Sequence, residues 1–185
     1  MNALLMVSAF WFLSEVFLAY HKKAAPESID KDKSSLKLLW IIINVAIGMG
    51  LYFGLSGKGF IAFYPKAFYF VGILFIILGL ILRWTAIIQL NKYFTVSVAL
   101  DKNHNLIQHG LYKFLRHPSY TGSLLSFFGL SLCFDNWISF LTVFFPITAV
   151  FLYRISIEEI ALKNHFGNKY LRYMEKTKRL IPWIY

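Results

Sequence analysis

Cysteine is nearly absent from this chain. A single residue, Cys133, excludes an internal disulfide. It lies in an apolar run and reads as a small buried hydrophobe rather than a nucleophile. Acidic residues are also scarce, nine against nineteen Lys and Arg, for a formal net charge of +10. Charge of either sign makes up only 15% of the 185 residues. That is too little to coat a soluble domain that is 58% hydrophobic and 19% aromatic. No Gly-x-Gly-x-x-Gly or Walker-type loop occurs, so a conventional nucleotide-binding domain has no support. The five histidines show no i, i+3 or i, i+4 ligand spacing, and no Cys/His or acidic cluster joins them, so no metal is expected. The N-terminus has no basic segment ahead of its first apolar run and no small-residue cleavage site. That run is therefore read as a retained membrane helix.

What is present is long apolar runs. With a mean hydropathy of +0.57, they imply an all-α integral membrane protein in which the lipid bilayer is the solvent. Helix 1 is expected over roughly Asn2–Tyr20, with Glu15 facing other helices or the interface. Helix 2 is expected over Leu36–Leu55, with Ala46, Gly50 and Gly54 forming a small-residue packing face. Helix 3 should run from Pro65 to Leu90, longer than the bilayer needs, so that Arg83 to Gln89 emerge into the interface. Ser119–Phe134 and Trp137–Tyr153 are two shorter apolar segments separated by Asp135-Asn136. They predict a tight helix 4–5 hairpin. Ser119, Gly122, Ser123, Ser126 and Gly129 give helix 4 a close-packing face. The tail from Arg154 is basic and amphipathic, broken at Gly167 and stopped at Pro182.

The cations set the expected orientation. Five lie between helices 1 and 2, four in Asn91–Pro118 and seven from Arg154 onward, against Lys58 and Lys66 between helices 2 and 3. About five membrane helices then place the N-terminus outside and the C-terminus in the cytoplasm. This charge pattern, rather than nucleic acid, accounts for the basic balance. The whole chain reads as one membrane domain, with helices 1–3 in residues 1–90 and a site-bearing half in 91–185.

Polar residues gather at one edge of that bundle. His104, His109, Tyr112, Arg116, His117 and Tyr120 precede or open helix 4. Arg154, Glu158 and Glu159 follow the last apolar run, and the hairpin returns Arg154 to the end that holds Arg116. Arg154 and Glu158, four apart, share a helix face. They suit either a modest surface ion pair or a ligand site in which arginine holds a carboxylate. Ionisable groups at a membrane edge are costly unless they bind something.

The spacing of these residues resembles one family. Gly110-Leu111-Tyr112, Leu115-Arg116-His117-Pro118-Ser119-Tyr120-x-Gly122 and Arg154-x3-Glu158-Glu159-x3-Leu162 carry the likeness. Phe166-Gly167-x2-Tyr170-x2-Tyr173 and Thr177-x-Arg179-Leu180-Ile181-Pro182 extend it, so that it covers Asp101 to Pro182. The pattern is similar to the isoprenylcysteine carboxyl methyltransferases and, more distantly, to the phospholipid N-methyltransferases of membranes. Arg-His-Pro alone is shared with membrane sterol reductases, which leaves a non-methylating protein as the alternative outside methyl transfer.

The resemblance implies an integral membrane enzyme that uses S-adenosylmethionine to methylate the carboxylate of a lipophilic acceptor such as a prenylated cysteine. It implies cofactor contacts at His104, Asn105, Leu106, Ile107, Tyr112, His117, Pro118, Ser119, Tyr120 and Glu158, and a substrate carboxylate at Arg154. Ser97 departs from the pattern, standing where the eukaryotic enzymes have a glutamine. Within this class, methylation of a phospholipid amine is the second reading. Arg154 favours the carboxylate, because an amine is better matched by an acid or an aromatic cage.

Overall fold

The computed structural model describes residues 2–21, 30–61, 65–94, 105–182 and 184–185. Among these residues six α-helices follow one another: α1 (Asn2–His21), α2 (Asp30–Ser56), α3 (Pro65–Leu90), α4 (Pro118–Leu132), α5 (Trp137–Phe166) and α6 (Asn168–Lys176). Short 3-10 turns lie at Asn91–Tyr93 and Gly110–Lys113. Among the described residues, β structure is limited to two isolated bridges, Phe60 with Asn136 and Leu115 with Lys178. The all-α membrane architecture expected from the sequence is therefore what the chain forms.

Among the described residues, four helices, α1, α2, α3 and α5, are long and apolar enough to cross a bilayer. At 15 residues, α4 spans about 22 Å against a hydrocarbon core of about 30 Å. It is the short fifth member of the bundle. Helix α5 differs from its expected extent. It runs 30 residues, about 45 Å, and carries Arg154, Glu158 and Glu159 within it rather than after it. The apolar run ends at Tyr153, but the following charged residues are good helix formers and find partners. The helix stops only at Gly167, whose φ of 54° suits glycine and whose N–H reaches Lys163 O at 2.9 Å.

Helix α3 packs chiefly on α4, and α2 on α5. The α3–α4 crossing is a close backbone approach. A Cβ on Gly79 would lie 2.5 Å from Gly122 O, and one on Gly122 would lie 2.6 Å from Gly79 O. Gly72 and Gly129 oppose each other one crossing further along. This is the small-residue face expected of helix 4, with α3 as its partner. Gly50 and Gly54 receive Val143, Phe134 and Ser139, so the small-residue face of α2 is satisfied within the chain. Gly122→Val is expected to cost about 2 kcal/mol, because the obstacle is backbone rather than a movable side chain. A thermal melt of the detergent-solubilised protein reads this directly. An unchanged midpoint would show that the helices separate there freely.

The end of the bundle away from the polar residues is closed by Asn136. Its side chain accepts the N–H groups of Ile138 (2.9 Å) and Ser139 (3.0 Å), capping α5. Its amide donates to Phe53 O (3.1 Å) and Lys58 O (2.6 Å), tying the α4–α5 turn to the end of α2. That fixes the hairpin, whose connection is Cys133–Asn136.

Candidate functional site

The entrance to α4 is held from three sides. Gly110, at φ 59°, turns the chain beside Gln89, whose side-chain oxygen accepts the Leu111 N–H at 2.8 Å. Tyr112 is buried and donates to Ala86 O (3.3 Å) at the end of α3, while its carbonyl accepts the Tyr173 hydroxyl from α6 (2.7 Å). Burial pushes the phenols of Tyr112, Tyr170 and Tyr173 well above the ordinary range, so all three remain protonated. Pro118 stands at the first position of α4, where a missing N–H costs nothing.

The residues just before it pair with the chain's tail. Arg116 N donates to Lys178 O (2.7 Å), His117 N to Arg179 O (3.1 Å) and Lys178 N to Phe114 O (3.0 Å). The sequence pattern predicts a tail helix broken at Gly167 and stopped at Pro182. Helix α6 instead ends at Lys176, because Thr177 takes an extended conformation (φ −128°, ψ 154°) that allows this pairing.

Glu159 is the hub of the site. Arg116 Nε donates to Oε1 at 2.9 Å, and Arg179 donates to Oε2 from Nη2 at 2.8 Å and from Nε at 3.1 Å. The remaining reach of Arg116 goes to Met174 O (3.1 Å) and Thr177 O. The carboxylate is almost fully enclosed, and a buried charge of this kind is tolerated only when paired this completely. The hydrogen bonds from Arg179 to Glu159 and Tyr185 raise its already high pKa further. His117 is buried beside the same hub. Its Nε2 lies 3.5 Å from Glu159 Oε1 yet makes no hydrogen bond, and its Nδ1 is 3.9 Å from Glu158.

Glu158, one residue earlier, faces another way. Tyr120 donates to its Oε2 at 2.7 Å, and Arg154 Nε donates to the Tyr120 oxygen at 3.1 Å. Arg154 Nη1 also donates to Ser35 of α2 at 3.1 Å. Arg154 and Glu158 are thus joined with a tyrosine hydroxyl between them, and the Tyr120 ring stacks on His117 at 5.7 Å. The guanidinium of Arg154 is deep, with the residue 2% exposed, whereas the Glu158 side chain is 26% exposed. One helix turn therefore presents a sealed cation and an accessible anion.

The structure places most of the sequence-predicted residues around this end. His117, Pro118, Ser119 and Tyr120 open α4, and Arg154 and Glu158 meet them from α5. Asn105 is exposed and donates to the Tyr93 hydroxyl at 3.2 Å, with Leu106 and Ile107 half-buried after it. His104 and Ser97 lie outside the described residues. Among the described residues, no group of three or more His, Cys, Asp or Glu is arranged to hold a metal.

Sequence reading missed the contribution of the first three helices. Arg83 is largely enclosed by protein at the level where α4 begins. It turns inward and grips Glu15 through Nε (2.6 Å) and Nη2 (2.7 Å), while Nη1 donates to Ser119 (3.1 Å) and Ser123 (2.8 Å). The signal was two lone charges of opposite sign, each about two turns from the same end of its apolar helix. Ser35 carried no comparable signal.

Comparison with known proteins gives consistent matches. The model of the "Isoprenylcysteine carboxyl methyltransferase (ICMT) family" matches residues 71–164. That stretch takes in most of α3, which the motif likeness left out, and ends before the tail motifs. Protein-S-isoprenylcysteine O-methyltransferase B of Arabidopsis thaliana is 36% identical over 115 residues, covering 61% of this chain and 58% of the relative. The Schizosaccharomyces pombe protein-S-isoprenylcysteine O-methyltransferase is 35% identical over 60% of this chain and 48% of its own length. The chain thus spans little more than half, or less, of the curated relatives it matches. Among solved structures, a eukaryotic intramembrane Ras methyltransferase superposes with a TM-score of 0.66 at 28% identity, covering 76% of this chain and 52% of that one.

Proposed function

Since the chain belongs to the isoprenylcysteine carboxyl methyltransferase family, we propose that it methylates the carboxylate of a lipid-like acceptor, such as a prenylated cysteine, from S-adenosylmethionine. The observation that carries this reading is the pairing of enclosed Arg154 with accessible Glu158 through Tyr120, at the edge of a membrane bundle.

The residues suit the cofactor. His117 offers a buried ring nitrogen with no hydrogen-bond partner, and Glu158 offers a carboxylate within reach of solvent. When bound, S-adenosylmethionine supplies an electrophilic methyl group on a sulfonium. Glu158 is assigned to its ammonium group and His117 to its amino-acid end. Asn105, Leu106, Ile107 and Tyr112 are assigned to the adenosine side. Pro118 and Ser119 fix the backbone of the turn.

A carboxylate acceptor is ionised at neutral pH and needs no general base. The protein's task is alignment and exclusion of water. Arg154 orients the acceptor, exchanging its bond to Ser35 for one to the substrate. Its continuing bond to Tyr120 keeps part of its charge engaged, so the acceptor oxygen stays nucleophilic. The cation-rich end of the bundle is assigned to the cytoplasm by the distribution of Lys and Arg, which puts the N-terminus outside.

Calorimetry with the detergent-purified protein, followed by labelled methyl transfer to N-acetyl-S-farnesylcysteine, tests the proposal. Binding of cofactor and transfer of label are expected. Failure to bind S-adenosylmethionine or its demethylated product would exclude methyl transfer. Binding without transfer would exclude this acceptor.

A further inference from the structure

Helix α6 and the chain end carry a surface that methyl transfer does not use. Tyr170 and Tyr173 turn one face of α6 into the protein. On the flank beside that face Lys169, Arg172 and Lys176 are all exposed, with exposed Glu175 about 60° beyond Arg172. At 100° per residue the three cations fall within about 60° of one another, forming a single cationic strip. Exposed Lys113 and Lys178 flank the place where the tail meets α4.

Beside this charge stand apolar side chains that face outward. Phe114, Leu171 and Ile181 are exposed, and Ile184 is 75% exposed. Ile184 is not on a loose end. The chain terminus is folded back, with Leu180 N and Ile181 N both donating to Tyr185 O at 2.8 Å and Arg179 donating to the Tyr185 hydroxyl at 2.9 Å. An isoleucine held outward by a closed turn, with Phe114, Leu171 and Ile181 also exposed, suits apolar surroundings.

The depth of this turn names those surroundings. Thr121, in the first turn of α4, donates to Leu180 O at 2.8 Å, and Arg116 and His117 pair with Lys178 and Arg179. Residues 178–182 therefore lie level with the point where the chain enters the membrane bundle, and 184–185 fold back onto them. A soluble acidic partner would satisfy the cations and leave Phe114, Ile181 and Ile184 in water. A lipid surface with anionic headgroups satisfies both.

We propose that α6 and the terminal turn form a foot that rests on the bilayer and binds anionic lipid headgroups through Lys169, Arg172 and Lys176. The foot also bears on the site. It is fastened to His117 through the Arg179 carbonyl and to Glu159 through the Arg179 guanidinium. Membrane charge would thereby steady the turn that carries His117. The proposal holds whichever acceptor the site methylates.

The full chain, reconstituted in vesicles, is labelled with an environment-sensitive dye at Ile184→Cys in a Cys133→Ala background. Nitroxide-bearing lipids report insertion. Vesicles of phosphatidylcholine alone are compared with vesicles holding about one-third phosphatidylserine. Quenching should be stronger in the anionic vesicles and weaken with added salt. Each cation near an anionic surface contributes roughly five-fold to association. The triple variant Lys169→Gln/Arg172→Gln/Lys176→Gln should therefore lose on the order of 100-fold in the docking equilibrium and respond alike to both vesicles. Equal quenching of the parent in the two vesicle types would overturn the proposal, as would an unchanged response in the triple variant. Binding of polyglutamate without any lipid response would reassign the strip to an acidic protein. No methyl transfer is read, so this outcome is independent of the enzymatic one.

Discussion

Arg154→Ala is expected to lower methyl transfer by on the order of 1000-fold while changing S-adenosylmethionine affinity by no more than about three-fold. The guanidinium is deeply enclosed and reaches Glu158 through the Tyr120 hydroxyl. Arg116 and Arg179 are committed to Glu159, and Arg83 to Glu15. Arg154 donates to the hydroxyls of Tyr120 and Ser35, and its planar guanidinium suits a two-pronged grip on a substrate carboxylate. The small effect on the cofactor comes through Tyr120, which also donates to Glu158. Arg154→Lys should recover only part of the loss, since an ammonium supplies charge without the planar two-pronged geometry. Glu158→Ala should show the reverse pattern, weakening the cofactor first. Calorimetry and initial-rate measurements on the same preparations separate the two. Equal loss of cofactor affinity in both variants would refute this division of roles.

Glu159→Ala should have the largest effect on stability. It removes the counter-charge of two arginines at once, and leaving a buried charge unpaired costs about 3 kcal/mol or more. Arg116 is itself largely enclosed, so it cannot simply turn to water. The tail should detach from the entrance of α4, exposing the bonds after Lys176, Lys178 and Arg179 to trypsin. Limited proteolysis and a melting curve in detergent measure this together. Cofactor affinity should fall as well, because His117 N is held by Arg179 O. A variant as protease-resistant and as heat-stable as the parent would contradict the role assigned to this hub.

The membrane helices were legible because the bilayer imposes a simple rule. Apolar runs of the right length become spans, and α3 begins at Pro65 and ends at Leu90 as read, bounded by proline and by Asn91. The end of α5 was not legible by the same rule. Hydropathy stops at Tyr153, while the helix continues on charges whose partners are distant in sequence. The convergence of Arg116 and Arg154 at one end followed from the hairpin. Which carboxylate each arginine takes did not. Glu158 and Glu159 are adjacent in sequence but about 100° apart around the helix, so one faces the tail and the other faces Tyr120. The Arg83–Glu15 pair joins residues 68 apart, and only matching depth in two apolar helices hinted at it.

Arg154 as a carboxylate site is most directly tested by the chemistry of the product. The purified chain is given methyl-labelled S-adenosylmethionine and N-acetyl-S-farnesylcysteine, and the lipid product is treated with alkali. A methyl ester releases its label as volatile methanol, whereas an N-methyl amine keeps it. The expected result is release of essentially all label as methanol, and none when the acceptor carboxylate is replaced by a carboxamide. Alkali-stable label, or equal labelling of the carboxamide, would contradict carboxylate methylation at this site.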